Sequence, residues 1–388
     1  MTKFLFSSEQ VSDGHPDKMS DYISDSILDA CLEQDPKARV AVETLVKNNT
    51  VVVAGEVTFK GEIDIDAVVR AAIQEIGYDE EATGMDYRTC NIINLISEQS
   101  PEIANAVHVE KKPEDVGAGD QGLMIGYATD ETEEALPMSY VLATKILLEL
   151  HKARKEKTIE WLRPDMKSQV TVQYQKSEDQ GLIPLRIHTV LVSLQHAKTV
   201  DLNTIQSTIK EQVLLKILPE NLVDENTRYF INPSGSFVVG GPKADAGVTG
   251  RKIIADTYGG WGGHGGGAFS GKDSTKVDRS AAYASRQIAK SLVKADFCRR
   301  CLVKVAYGIG VVEPISLYVD TFGSAKHGLS DADLIKIIEQ NFDLRPGMIM
   351  KNLGLEKPIF RKSTLFGHFV DRPGAELPWE QVVPLKKD

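Results

Sequence analysis

The chain has 388 residues, 42% hydrophobic and 26% charged, a composition of ordinary globular proteins in which two or three units of roughly 100–150 residues are expected. A formal net charge of −10 argues against a nucleic-acid surface, which would be basic over at least one face. No apolar run approaches the ~18 residues needed to span a bilayer, and the opening MTKFLFSSEQ lacks a signal-peptide layout, so a cytoplasmic protein without membrane partners is expected.

In chain order, Met19, Tyr22, Ile23, Ile27, Ala30 and Cys31 recur at steps of three and four and predict a helix over 17–34. Two strand-like runs follow, RVAVETLV and TVVVAGEVTF, then a helical segment, IDIDAVVRAAIQEIG, then an extended run, RTCNIINLI. The order returns with a helix over 138–155, then SQVTVQYQ and IPLRIHTVLVSLQH, then DLNTIQSTIKEQVLLKIL, then TRYFINP. A third round reads SAAYASRQIAKSLVKA, CLVKVAYGIG with PISLYVDTFG, DADLIKIIEQNF, and PIFRKSTLFG as the closing extended run. Three α+β units result, each a small mixed sheet with helices on one face, over 1–114, 115–232 and 233–388.

The chemistry-bearing letters fall between these elements. In EQVSDGHPDK, Gly14 and Pro16 stop regular structure before the first helix and leave His15 and Asp17 at its mouth, where free N–H groups and positive potential suit a phosphate. Ser12 or Asp13 with Asp17 could equally cap that helix. DVGAGDQGLMIGY is a glycine turn carrying Asp120 and running into a strand. In RPDMK, Asp165 and Lys167 stand two apart and share one side if the strand has begun.

The densest region is 233–280, where eight of the thirteen residues from Gly259 to Gly271 are glycine. Arg251, Lys252, Lys272 and Lys276 are interspersed there with Asp245, Asp273 and Asp278, which offers anion-binding cations and metal-binding carboxylates together. Gly266 to Lys272 fits the phosphate-loop pattern GxxxxGK, with LYVD ending at Asp320 as a forced second carboxylate. Asp273 stands where the pattern needs a Mg²⁺-binding hydroxyl, so the loop is expected to bind phosphates without being a P-loop. Cys298 and Cys301 form CRRC without a second CxxC or a His pair, and are expected to be two half-buried thiols at a helix-to-strand junction.

GHPDK at 14–18, GAGDQG at 117–122, DAGVTGRK at 245–252 and GGGAFSGKD at 265–273, in this order, resemble S-adenosylmethionine synthetase over roughly residues 3–380. The resemblance implies three similar domains about a pseudo-threefold axis and a homodimer or dimer of dimers with shared active sites. It implies a reaction in which the sulfur of L-methionine attacks C5′ of ATP and expels the triphosphate, which is then hydrolysed to pyrophosphate and phosphate. A thioether has no proton to lose, so alignment and stabilisation of the leaving group must carry the rate.

By the same resemblance, His15 contacts the triphosphate near the breaking bond, and Lys167, Arg251, Lys252, Lys272 and Lys276 form its cationic cradle. Glu9, Asp165, Ser234, Phe237, Asp245 and Ala268 fall on the ATP side, with Phe237 as the ring stacking on adenine. Glu56, Gln99 and Asp245, with Lys276, mark the methionine pocket. Asp17 and Asp278 are implied ligands of two Mg²⁺ ions, Glu43 of K⁺, and Asp120 part of the shared site, beneath a mobile loop over 100–120. Ser236 stands where the family carries Arg, and Tyr22 where it carries Gln. Two rival readings are a P-loop-like phosphotransferase, which would leave ADP, and a non-catalytic regulatory homologue, which would have lost several of the five cradle cations retained here.

Overall fold

The computed structural model describes residues 3–98, 112 and 115–386. Its elements follow the three rounds. The first contributes β1 (Lys3–Val11), α1 (Pro16–Gln34), β2 (Arg39–Lys47), β3 (Thr50–Thr58), α2 (Ile65–Ile76) and β4 (Asn91–Ser97). The second contributes β5 (Gly122–Thr129), α3 (Met138–Lys155), β6 (Leu162–Lys176), β7 (Leu182–His196), α4 (Leu202–Ile209) and β8 (Arg228–Ile231). After β9 (Gly247–Val248) the third has α5 (Val277–Lys294), β10 (Arg300–Tyr307), β11 (Ser316–Asp320), α6 (Asp331–Asn341) and α7 (Pro346–Leu353). Among the described residues no helix is long and apolar enough to cross a membrane.

One pairing plan builds the sheets. Each has an antiparallel hairpin, β2–β3, β6–β7 or β10–β11, and in the first two a parallel strand, β4 or β8, joins the second arm. The first arm of every hairpin also takes an antiparallel strand from elsewhere in the chain: β9 lies on β2, β1 on β6 and β5 on β10. Backbone hydrogen bonds therefore tie the rounds together, since β1 precedes the first helix yet completes the second sheet. Helices α1, α3 and α5 pack on the first, second and third sheets.

Among the described residues the third sheet has three strands and no fourth. PIFRKSTLFG, expected to be extended, instead forms a helical turn at Phe360–Ser363, because the buried Asp29 carboxylate accepts the Phe360 and Arg361 N–H groups at 3.0 and 2.9 Å and holds both at a helix start. The helix expected over 201–218 is interrupted by a π-helical turn, Lys210–Leu214, whose Val213 and Leu214 are both buried. Cys298 lies between α5 and β10 and Cys301 is the second residue of β10; both thiols are free, and both are fully buried rather than half-buried.

Helix α1 is the spine. Sixteen of its nineteen residues are buried, including carboxylates at every fourth position: Asp17, Asp21, Asp25 and Asp29. A step of four keeps these acids on one face. Asp17 and Asp21 take backbone N–H groups from one segment, Val248 at 3.0 Å and Gly250 at 2.8 Å, Asp25 takes that of Gly271 at 2.9 Å, and Asp29 those of the 360–361 turn. Gly247 must be glycine, because a Cβ there would stand 2.1 Å from the Pro16 carbonyl oxygen. Opposite the helices, the sheets leave apolar side chains outward, among them Leu5, Leu45, Phe230, Tyr318 and Leu95, the last 60% exposed.

Candidate active site

Pro16 opens α1, and His15 rather than Ser12 or Asp13 is its cap, with Nδ1 accepting the Asp17 N–H at 3.1 Å. That bond fixes the tautomer and leaves the proton on Nε2. Burial first, then the charges of Lys252 and Lys167, push the His15 pKa down to about 3, so the ring is a neutral donor at physiological pH. Ser12 instead ties the turn to β6, donating to the Pro164 carbonyl at 2.7 Å and accepting the Met166 N–H at 2.9 Å. Asp13 faces Arg154 at 2.9 Å and His151 at 3.1 Å. Burial works against the Asp17 carboxylate, but Lys252 at 2.6 Å and the Val248 N–H outweigh it and hold its carboxyl below the usual range. Arg251 Nε stands 3.9 Å from the same group.

Asp165 and Lys167 lie inside β6, near its irregular start. One Asp165 oxygen accepts the Gly241 N–H at 2.9 Å; the other is buried with no partner. Burial raises this carboxyl to about 6 against the Gly241 hydrogen bond and the pull of Lys167, and the Asp245 charge adds to the rise. Gln195 steadies the same end of the sheet, accepting the Asp165 N–H at 3.3 Å and donating to the Thr83 and Val238 carbonyls. Phe237 is clamped beside β7 by the His196 ring, which accepts its N–H at 3.0 Å. Ser234, Ser236 and Asp245 are exposed, as is Glu9 on β1.

The glycine-rich stretch carries the second group. Lys272 reaches Asp278, in the first turn of α5, at 2.8 Å. Asp273, 1% exposed, accepts Val40 N–H at 2.8 Å, Thr275 N–H at 2.9 Å, Thr275 Oγ1–H at 2.6 Å and the Lys276 ammonium. A group so occupied holds the loop against β2; it is not a substitute for a metal-binding hydroxyl, and the P-loop reading fails on geometry as well as on sequence. Ala268 sits against Gly250, next to Arg251. Glu43, Glu56, Thr249, Ala268 and Lys272 line one cleft of about 250 Å³ on the outward face of β2 and β3. The GAGDQG turn docks on this region through Gly119 N–H to the Thr275 carbonyl at 3.3 Å, leaving Asp120 exposed. Gln99 and, of the expected mobile loop over 100–120, residues 100–111, 113 and 114 lie outside the described residues.

The sequence-derived residues thus fall into two groups, one around His15, Asp17, Lys167 and Lys252, the other around Lys272, Lys276 and Asp278. Among the described residues no ion pair passes between them; between Asp21 and Lys272 lies a row of buried polar groups, broken at His368, whose Nε2 has no hydrogen-bond partner. From Asp21 it runs to Lys18 at 3.0 Å and on to Asp256, then across 3.9 Å to His368. His368 meets Tyr283 at 2.7 Å, Tyr283 meets Arg279 at 3.1 Å, and Arg279 grips Asp25 at 2.6 and 2.7 Å while donating to the Lys272 carbonyl at 3.1 Å. Sequence reasoning missed these residues. The available signal was the acid at every fourth position in a helix otherwise patterned for burial, since buried carboxylates require partners.

Among the described residues no three His, Cys, Asp or Glu side chains form a ready metal cage. Asp17 and Asp278 are single carboxylates, each held by a lysine, and one or two carboxylates are what Mg²⁺ takes when it arrives with phosphates. The donor set therefore fits nucleotide-borne Mg²⁺.

Three strand-exchanging sheets with lysine–carboxylate pairs at helix starts and beside a glycine loop define the class: a three-unit α+β protein with a cation-rich candidate site. Family models then give the particular assignment. The N-terminal, central and C-terminal domains of S-adenosylmethionine synthetase match residues 3–101, 115–237 and 239–381, and the chain belongs to that family of ATP-dependent transferases. Membership implies ATP and methionine as substrates.

Proposed function

We propose that this protein is a methionine adenosyltransferase, in which methionine sulfur displaces tripolyphosphate from C5′ of ATP and the tripolyphosphate is then hydrolysed to pyrophosphate and phosphate. The observation that carries this reading is the neutral, buried His15, whose protonated Nε2 is a donor beside Lys167 and Lys252. As the C5′–O bond breaks, negative charge grows on the departing oxygen, and a donor already oriented there stabilises it without reorganisation. Arg251 and Lys252 at one group and Lys272 and Lys276 at the other carry the remaining charge of the leaving chain.

The unpartnered Asp165 oxygen is suited to accept an N–H from adenine, with Phe237 as its stacking ring. Glu56, Gln99, Asp245 and Lys276 form the methionine pocket, in which a carboxylate holds the ammonium group, Asp120 completes the shared site, and Glu9, Ser234 and Ala268 border the nucleotide. Asp17 and Asp278 would hold two Mg²⁺ ions per site, which would supply neutralisation of phosphate charge, and Glu43 would hold K⁺. The protein works as a homodimer or dimer of dimers with shared sites; outward apolar residues on all three sheets and the separation of the two residue groups support this. Incubation with ATP, methionine, Mg²⁺ and K⁺ is expected to yield S-adenosylmethionine, pyrophosphate and phosphate by mass spectrometry. ADP as the product, or no sulfonium at all, would overturn the proposal.

A further inference from the structure

Away from both residue groups, a cavity of about 830 Å³ opens between α1, α3, the Lys216–Ile217 turn and the 362–375 segment. That volume is in the range of small-molecule sites. Its floor includes Leu148, Ile217, Leu365 and Phe366. Six cations and three carboxylates also line it, an excess of three positive charges on a protein whose net charge is −10. Among the described residues, five of those cations, Lys152, Lys155, Lys216, Lys362 and Arg372, have no carboxylate within ion-pair distance. Arg372 spends its guanidinium on the Gly367, Val370 and Lys362 carbonyls. Unpaired positive charge around an apolar floor is complementary to one kind of ligand, an apolar body with an anionic head.

Two further observations mark this as a built site. Phe366 has φ 57°, a left-handed conformation that is an outlier for a bulky residue and is held only where surrounding structure over-determines it. Its ring packs edge-on against His151 at 5.2 Å, and His151 Nδ1 stands 3.1 Å from Asp13, two residues before His15. A ligand on the Phe366–His151 wall therefore adjoins a direct route to the turn that carries the His15 cap.

We propose that this cavity binds a small amphipathic anion and that its occupancy is felt at His15 through His151 and Asp13. The binding claim does not depend on the adenosyltransferase reading; only the meaning of His15 does. The probe is decanoate, titrated calorimetrically into the full-length protein without ATP or methionine, below its micelle concentration and at fixed ionic strength. One decanoate per chain is expected to bind, with decanol at least tenfold weaker, and Lys152→Glu with Lys216→Glu is expected to weaken decanoate at least tenfold while leaving the melting curve unchanged. No binding, equal binding of decanol, or unchanged binding by the double variant overturns the site. A shift of the His15 imidazole NMR signals, assigned through His15→Asn, is expected on decanoate addition and lost in His151→Ala; binding with those signals unmoved overturns the coupling. Because neither readout uses turnover, a protein that made no S-adenosylmethionine would still decide both.

Discussion

Asp273→Ser restores the residue a phosphate-binding P-loop requires and separates the loop's local sequence from its tertiary role. Serine is too short to reach four donors. It would leave the Val40 and Thr275 N–H groups and the Lys276 ammonium without the acceptor that now sits within 2.9 Å of both N–H groups. Removing one partner of a buried ion pair costs about 3–5 kcal/mol. The Lys276 side chain is 18% exposed and can turn its ammonium to water, which places the loss near the lower end, about 3 kcal/mol. Asp273→Asn keeps one acceptor oxygen and loses the charge, for about 1–2 kcal/mol, the difference between charged and neutral hydrogen bonds. Urea denaturation at fixed protein concentration is expected to rank wild type, Asn, then Ser, with adenosyl transfer falling in the same order. The Asp273 carboxyl is held down to about 2 because Lys276 and Arg39 outweigh its burial. Its contribution is therefore complete above pH 4 and fades as pH falls towards 2, and the gap between wild type and Asn should close over that window. A Ser variant of wild-type stability that began to release ADP would refute the argument.

The His15 imidazole should not titrate between pH 5 and 8 by NMR. Its folded pKa of about 3 lies below the unfolded 6.5, so its contribution to stability is full above pH 6.5 and declines as pH drops towards 3, and the advantage over His15→Asn should shrink across that range. Gly266 has φ 103° with nothing within 4 Å of an added Cβ, so Gly266→Ala introduces backbone strain of ~1–2 kcal/mol without a clash and is expected to weaken ATP binding several-fold by calorimetry; unchanged affinity would remove the loop from the nucleotide site. Leu95→Asp, on the outward face of the first sheet, is expected to shift the sedimentation coefficient to that of a monomer, and an unshifted oligomer would exclude that face from the interface.

Helix and hairpin periodicities in the sequence ordered the elements in three rounds, except for the closing run of the third, because each burial pattern is local and the buried faces repeat. The motifs GHPDK, GAGDQG, DAGVTGRK and GGGAFSGKD pointed to the family, since loops of glycine, proline and charge carry few packing constraints and stand out against periodic segments. Strand exchange between sheets was not legible: the opening run that forms β1 stands outside the three rounds read from the sequence, and its partner β6 lies more than 150 residues away. Nor could the sequence tell that Asp13 leaves the cap to His15, that Asp273 is a brace, or that Asp21, Asp25 and Asp29 are buried anchors. A carboxylate's role depends on which donors surround it, and those arrive from distant loops only when the chain has closed on itself.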